Sequence, residues 1–162
     1  MKKLLFFAVI LLLMTGCLSE GKSEYTPSIS CRSIVTTAGD TLRLSAPDDV
    51  DYYLLDTMQV GDTAQLIFLF ISYENDLVST RIKADNKYAK LEMQLTDEIR
   101  NAMLETSDTL NGIINFKPGY GAVQFLSNYI ALEEGTPSLY VGVHSDSKYS
   151  PTNFEIRTPI RK

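Results

Sequence analysis

Hydrophobic and polar residues alternate along much of the chain beyond residue 30. Leu42, Leu44 and Ala46 alternate with Arg43 and Ser45, and Ala89, Leu91, Met93 and Leu95 with Lys90, Glu92 and Gln94. The same period returns at Leu139, Val141 and Val143 against Tyr140, Gly142 and His144. It returns again at Phe154, Ile156, Thr158 and Ile160 against Glu155 and Arg157. A period of two sends successive side chains to opposite faces, so each segment predicts a strand with one face on a core and one in water. Residues 66–71, Leu-Ile-Phe-Leu-Phe-Ile, are apolar on both faces; their length and aromatic content predict a central strand rather than a buried helix. Turn-forming clusters such as Ala38-Gly39-Asp40, Val60-Gly61-Asp62, Asp85-Asn86 and Lys117-Pro118-Gly119 separate these runs at short intervals. Many short strands so spaced point to a sandwich or a barrel.

One stretch reads as a helix, residues 96–105. Thr96 can cap it, Asp97 and Glu98 suit the positive end of its dipole, and Ile99, Ala102 and Met103 share a face. It is expected to cross between sheets. The closing stretch, residues 139–160, resembles the last hairpin of an immunoglobulin-like sandwich of the kind found in small lipoproteins of gut-type diderm bacteria. The resemblance implies an all-β, immunoglobulin-like antiparallel β-sandwich with one short helix over residues 30–162, and it brings no catalytic motif. A closed barrel is the other architecture the pattern permits.

The first seventeen residues follow a different logic. Lys2 and Lys3 precede an uncharged apolar run over residues 4–14, which leads into Met14-Thr15-Gly16-Cys17. Eleven apolar residues are too few to span a bilayer core, which takes about 20, and match the hydrophobic region of a secretion signal. The segment resembles the signal of bacterial lipoproteins, with small residues before the cysteine and Met14 where Leu is usual. That resemblance implies removal of residues 1–16, diacylglycerol in thioether linkage on Cys17, and an acylated new N-terminus of the palmitate type. Several acyl chains anchor stably where one binds marginally. Leu18 follows the cysteine in place of the Asp associated with inner-membrane retention, so an outer-membrane destination is expected, with the face left open. Residues 17–29 read as a lipidated flexible tether, rich in Ser, Glu, Gly and Lys; its twelve residues beyond Cys17 would span about 20 Å.

Charge narrows the partners. The whole chain carries −5; losing residues 1–16 removes two lysines and no acid, leaving thirteen bases against twenty acids, or −7. With no basic run, nucleic acid is not an expected partner, because its binding rests on neutralising phosphates. Cys31 remains as a lone thiol, so the fold must stand without an internal disulfide, and it reads as a small hydrophobe at a strand start.

Candidate chemistry is sparse. His144 is the sole histidine; Ser145 and Asp146 follow it, but adjacent residues in a strand point to opposite faces, so the three cannot form a triad among themselves, and no nucleophile elbow occurs. Asp48, Asp49 and Asp51 could offer oxygens to calcium but lack the spacing of a twelve-residue loop, and read as solvated. Gly119-Tyr120-Gly121 has no Lys-Ser or Lys-Thr sequel and reads as a turn. No cofactor or metal is expected. The nine tyrosines, among them Tyr52, Tyr53, Tyr73, Tyr120, Tyr129, Tyr140 and Tyr149, are the remaining lead, since exposed rings stack on sugars or anchor interfaces. The sequence therefore points to a lipid-anchored envelope protein with a non-enzymatic binding or structural role toward a protein or glycan. The alternatives are a subunit of a surface assembly, such as a fimbria or transporter complex, and a hydrolase using carboxylates.

Overall fold

In the computed structural model, described residues are 24–37 and 39–162; the signal segment, Cys17 and the tether through residue 23 lie outside them. In chain order the elements are β1 (Ser28–Thr36), β2 (Leu44–Ser45), β3 (Tyr52–Leu55), β4 (Met58–Gln59), β5 (Thr63–Ile71), β6 (Leu77–Ala84), β7 (Ala89–Gln94), α1 (Asp97–Ala102), a 3-10 turn (Thr109–Asn111), β8 (Ile113–Asn115), β9 (Ala122–Ala131), β10 (Ser138–Ser145), β11 (Thr152–Arg157) and β12 (Ile160–Arg161). Sheet 1 has the order β1-β5-β9-β7, and sheet 2 the order β2-β3-β11-β10-β6-β8. β12 and β4 form a small pair of their own. Neighbours run antiparallel except for β3 with β11 and β4 with β12. The chain is an all-β, immunoglobulin-like β-sandwich, and α1 is the one α-helix among the described residues.

The inner faces follow the alternation. β5 turns Ala64, Leu66, Phe68 and Phe70 inward, β9 turns Phe125, Tyr129 and Ala131, and from sheet 2 come Ile82, Leu139, Val141, Val143 and Ile156, all buried. Burying each large apolar side chain contributes about 1.5–3 kcal/mol. Phe70 meets Phe125 edge-on at 5.8 Å between ring centroids, and Phe116 closes the same end at 6.5 Å from Phe125. β5 is central, as its apolar run predicts, with β1 and β9 on either side.

α1 leaves sheet 1 after β7 and leads to β8 in sheet 2, so it crosses between sheets. It is shorter than residues 96–105, because Met103 is already extended (ψ 146°). The backbone N–H of Lys117 then donates to Ala102 O at 2.8 Å and closes the helix end. Gly112 follows the 3-10 turn at φ +71°, where any Cβ would run into the Ile82 carbonyl oxygen, so that close approach requires glycine.

Three boundaries differ from the sequence reading. The folded domain takes in residues assigned to the tether: β1 opens at Ser28, Pro27 is buried, and the hydroxyls of Ser147 and Thr152 donate to Tyr25 O (2.8 Å) and Pro27 O (2.6 Å). The strand expected over residues 154–160 divides, because Pro159 has no N–H to offer a ladder; β11 ends at Arg157, and Ile160 pairs instead with Met58. Of residues 42–46 only Leu44 and Ser45 pair, with Leu55 and Leu54.

Candidate functional site

The outward face of sheet 2 carries the densest set of functional groups. Because Leu139, Val141 and Val143 point inward from β10, Tyr140, Gly142 and His144 must point outward. The same logic exposes Arg81 and Lys83 on β6, beside inward Ile82 and Ala84, and Asn153, Glu155 and Arg157 on β11. Strand register lines these residues into rows. Lys83 lies opposite Tyr140, Tyr140 opposite Glu155, and Glu155 opposite Tyr52 on β3. One row over, Arg81 lies opposite Gly142 and Gly142 opposite Asn153.

Gly142 sits in a strand bordered on both sides, a position where glycine weakens the ladder and marks close approach of another group. A hollow of about 450 Å³ lies over this part of the sheet, framed by Arg81, Lys83, Tyr140, Asn153 and Glu155. The Asn153 carboxamide leans over it, so that a Cβ at position 142 would meet Asn153 Oδ1. The hollow shares walls with two others: about 590 Å³ bounded by Lys83, Asp85, Lys87, Ser138 and Tyr140, and about 100 Å³ between Ser79, His144 and Pro151. Together they form a trough along β10.

Charges in the trough are arranged unevenly. Glu155 Oε1 accepts hydrogen bonds from Arg157 Nε at 2.7 Å and Ser138 Oγ at 2.6 Å. The Arg157 bond, and then the Ser138 bond, hold the Glu155 carboxyl below the usual carboxylate range. The Arg157 guanidinium lies 4.0 Å over the Tyr52 ring, and its bond to Glu155 holds its own pKa up. Arg81 and Lys83, by contrast, are exposed and have no ion-pair or side-chain hydrogen-bond partner among the described residues.

The residues singled out from sequence are scattered. His144 is exposed at one end of the trough, while Ser145 and Asp146 are spent on the β10–β11 loop: Ser145 Oγ accepts from Ser147 N, and Asp146 Oδ1 from Asp76 N. That loop includes a cis Ser150–Pro151 peptide. Asp48, Asp49 and Asp51 are exposed before β3, and among the described residues no group of three or more His, Cys, Asp or Glu is placed to hold a metal. Gly119-Tyr120-Gly121 joins β8 to β9, where the Tyr120 and Gly121 carbonyls accept from Leu77 N and Ser72 N. Cys31 faces the core from β1, half-buried, and burial pushes its thiol up to about 12. Cys17 lies outside the described residues.

The tyrosines do not form one platform. Tyr129 is wholly buried, and burial raises its phenol pKa. Tyr73 pairs with Tyr25 at 5.7 Å, Tyr53 with Phe154 at 5.3 Å, and Tyr149 lies under Lys148. Tyr52 and Tyr140 alone of those named share the trough's row, and Tyr140 is 53% exposed. Sequence reading missed Arg81, Lys83, Gly142, Asn153 and Glu155 as a group. The one signal for it was Gly142 inside the otherwise regular run from Leu139 to Val143.

Two other hollows are less equipped. One of about 230 Å³ between β6 and β7 is lined by half-buried Leu91, Met93 and Leu95 with the 3-10 turn over it. Another, of about 590 Å³, lies between α1 and the start of β9, with Glu98 its one charge.

No protein-family model and no curated protein sequence matches the chain. Among solved structures it is similar to the C-terminal domain of the Streptococcus agalactiae AgI/II polypeptide BspA, at TM-score 0.49 and 10% identity, covering 83% of this chain and 50% of that one. It is similar also to the C-terminal domain of the Streptococcus pyogenes antigen I/II-family protein AspA, at TM-score 0.49 and 12% identity, covering 85% and 47%. A third likeness is to domains 4 and 5 of the S-layer protein SbsC, at TM-score 0.36 and 10% identity, covering 81% and 54%. The chain thus spans about half the length of the solved chains it matches. Likeness at this level does not extend to residues or function. Among the described residues no helix is long and apolar enough to cross a membrane.

Proposed function

We propose that this chain is a non-enzymatic binding protein of the bacterial envelope, anchored by lipid on Cys17, and that the trough on sheet 2 is its recognition surface for a glycan. The hollow over Gly142 is the observation that carries the reading. There the Asn153 carboxamide seats over Gly142, beside an exposed ring and charged groups around one hollow. Its volume falls within the range of about 300–1,000 Å³ typical of small-ligand sites. A sugar offers a ring face for Tyr140 and hydroxyls for Asn153, Arg81 and Lys83. Its lining mixes the apolar surfaces of Tyr140, Val141 and Phe154 with the polar ends of Arg81, Lys83, Asn153 and Glu155.

The carboxylate-hydrolase alternative lacks support in the hollow over Gly142. Glycoside cleavage uses two carboxyl groups facing one bond, one of them held protonated. The hollow over Gly142 has a single carboxylate, Glu155, and its bonds to Arg157 and Ser138 favour the charged form. In the full-length protein in detergent, calorimetric titration with a glycan retained on an array is expected to lose about tenfold in affinity on Tyr140→Ala, stacking being worth about 1 kcal/mol or more. Retention of full affinity by Tyr140→Ala and by Asn153→Ala would remove the trough from the reading.

A further inference from the structure

The charges of the trough do not cancel, and the residue of that cancellation says what kind of glycan fits. Glu155 and Arg157 neutralise each other at 2.7 Å. In the adjoining hollow Lys87 and Asp85 offset one another in sign. What remains is Arg81 and Lys83, two residues apart on β6 and therefore on one face, about 7 Å apart along the strand. Their neighbours across the ladder are Gly142 and Tyr140 on β10 and, for Arg81, Ile113 on β8, and none of these carries charge. Two free cations thus stand at the rim of the hollow, on a chain whose net charge is −5. Arg81 and Lys83 point to one face with no anion paired to either among the described residues, so their charges act together on whatever occupies the hollow.

We propose that the glycan bound in the trough is acidic: a carboxylate or sulfate on the saccharide is received by Arg81 and Lys83 while a sugar ring occupies the hollow over Gly142 against Tyr140. This rests on the reading of the trough as a saccharide site. Arg81 supplies a planar fork able to hold two oxygens of one anion, and Lys83 a point charge beside it. Asn153, on the opposite wall, serves the neutral hydroxyls. The net negative charge of the whole protein opposes general adhesion to polyanions, so selection for acid must come from this local pair.

The test uses the full-length protein in detergent on an array in which each acidic glycan stands beside a neutral counterpart: a uronate beside its methyl ester, a sulfated saccharide beside the desulfated one. Uronate and sulfate members separate the two sources of the anion. Retention is expected on acidic members, at least tenfold above their neutral counterparts, and weaker as salt rises. Arg81→Ala and Lys83→Ala should each reduce that preference and the double variant abolish it. Arg81→Lys, which keeps the charge and loses the fork, should fall between. Both side chains are exposed, so far-ultraviolet dichroism of the variants should match the parent; if a variant misfolds, the salt dependence and the acid-to-neutral ratio of the parent still decide. Equal retention of acidic and neutral members, sensitive to Tyr140→Ala, would overturn the acidic inference and leave the glycan reading standing. Silence across the whole array would remove both.

Discussion

Glu155 accepts two hydrogen bonds that favour its charged form, from Arg157 and from Ser138. Its carboxyl is held below the ordinary value, whereas in the unfolded chain it would titrate at about 4.3. The unfolded state therefore takes up the proton first as pH falls. The stabilisation is fully present above the unfolded value and is lost as pH drops through the folded one. Glu155→Gln is expected to lower the melting midpoint near neutral pH and to converge with the parent in acid, as melts from about pH 7 to pH 2 would show. A gap that stays constant across that range would assign the loss to packing instead. Cys31 is the contrary case at the same scale. Its thiol is pushed up to about 12 by burial, which keeps it neutral at any physiological pH and suits the small hydrophobe its sequence context predicts.

At the scale of elements, α1 shows how little local sequence is needed when packing helps. Six residues are too few for an isolated helix. Thr96 Oγ1 accepts from Ile99 N at 3.3 Å, while Ile99 and Ala102 are buried and Lys117 Nζ donates to Asn101 O at 2.7 Å. Thr96→Ala is expected to cost about 1 kcal/mol in denaturant unfolding with an unchanged slope, and Thr96→Asp to restore most of it. The helix was legible because its cap, acids and apolar spacing agree. β7 and β10 were legible because Leu91, Met93, Leu139, Val141 and Val143 keep strict alternation. β9 was not: Ser127 points into the core while Leu126 and Ile130 point away from it, so the period-two signal cancels. β6 was hidden by a shift in register opposite His144 and Ser145, which puts buried Leu77 and buried Thr80 out of step. Of the trough, only the break at Gly142 was legible. Arg81 and Gly142 are neighbours only through a pairing of residues 61 positions apart, and no local pattern encodes such a pairing.

For the molecule as a whole, the place where the domain begins is decided by residues 25–29. The hydroxyls of Ser147 and Thr152 hold the Tyr25 and Pro27 carbonyls, and β1 has already begun pairing at Ser28 with Ile71. A chain starting at residue 24 is expected to be more stable than one starting at residue 30. The two side-chain hydrogen bonds alone account for about 2 kcal/mol at about 1 kcal/mol each. Urea melts of the two lengths measure the difference, and identical midpoints would return residues 24–29 to the tether. The same two hydrogen bonds also set a heading. They fasten the incoming chain beside the β10–β11 loop, at one end of strands whose middle holds Gly142. Whatever load reaches Tyr25 from upstream therefore enters the sandwich at the end of β10 and β11 where His144 and Pro151 close the trough.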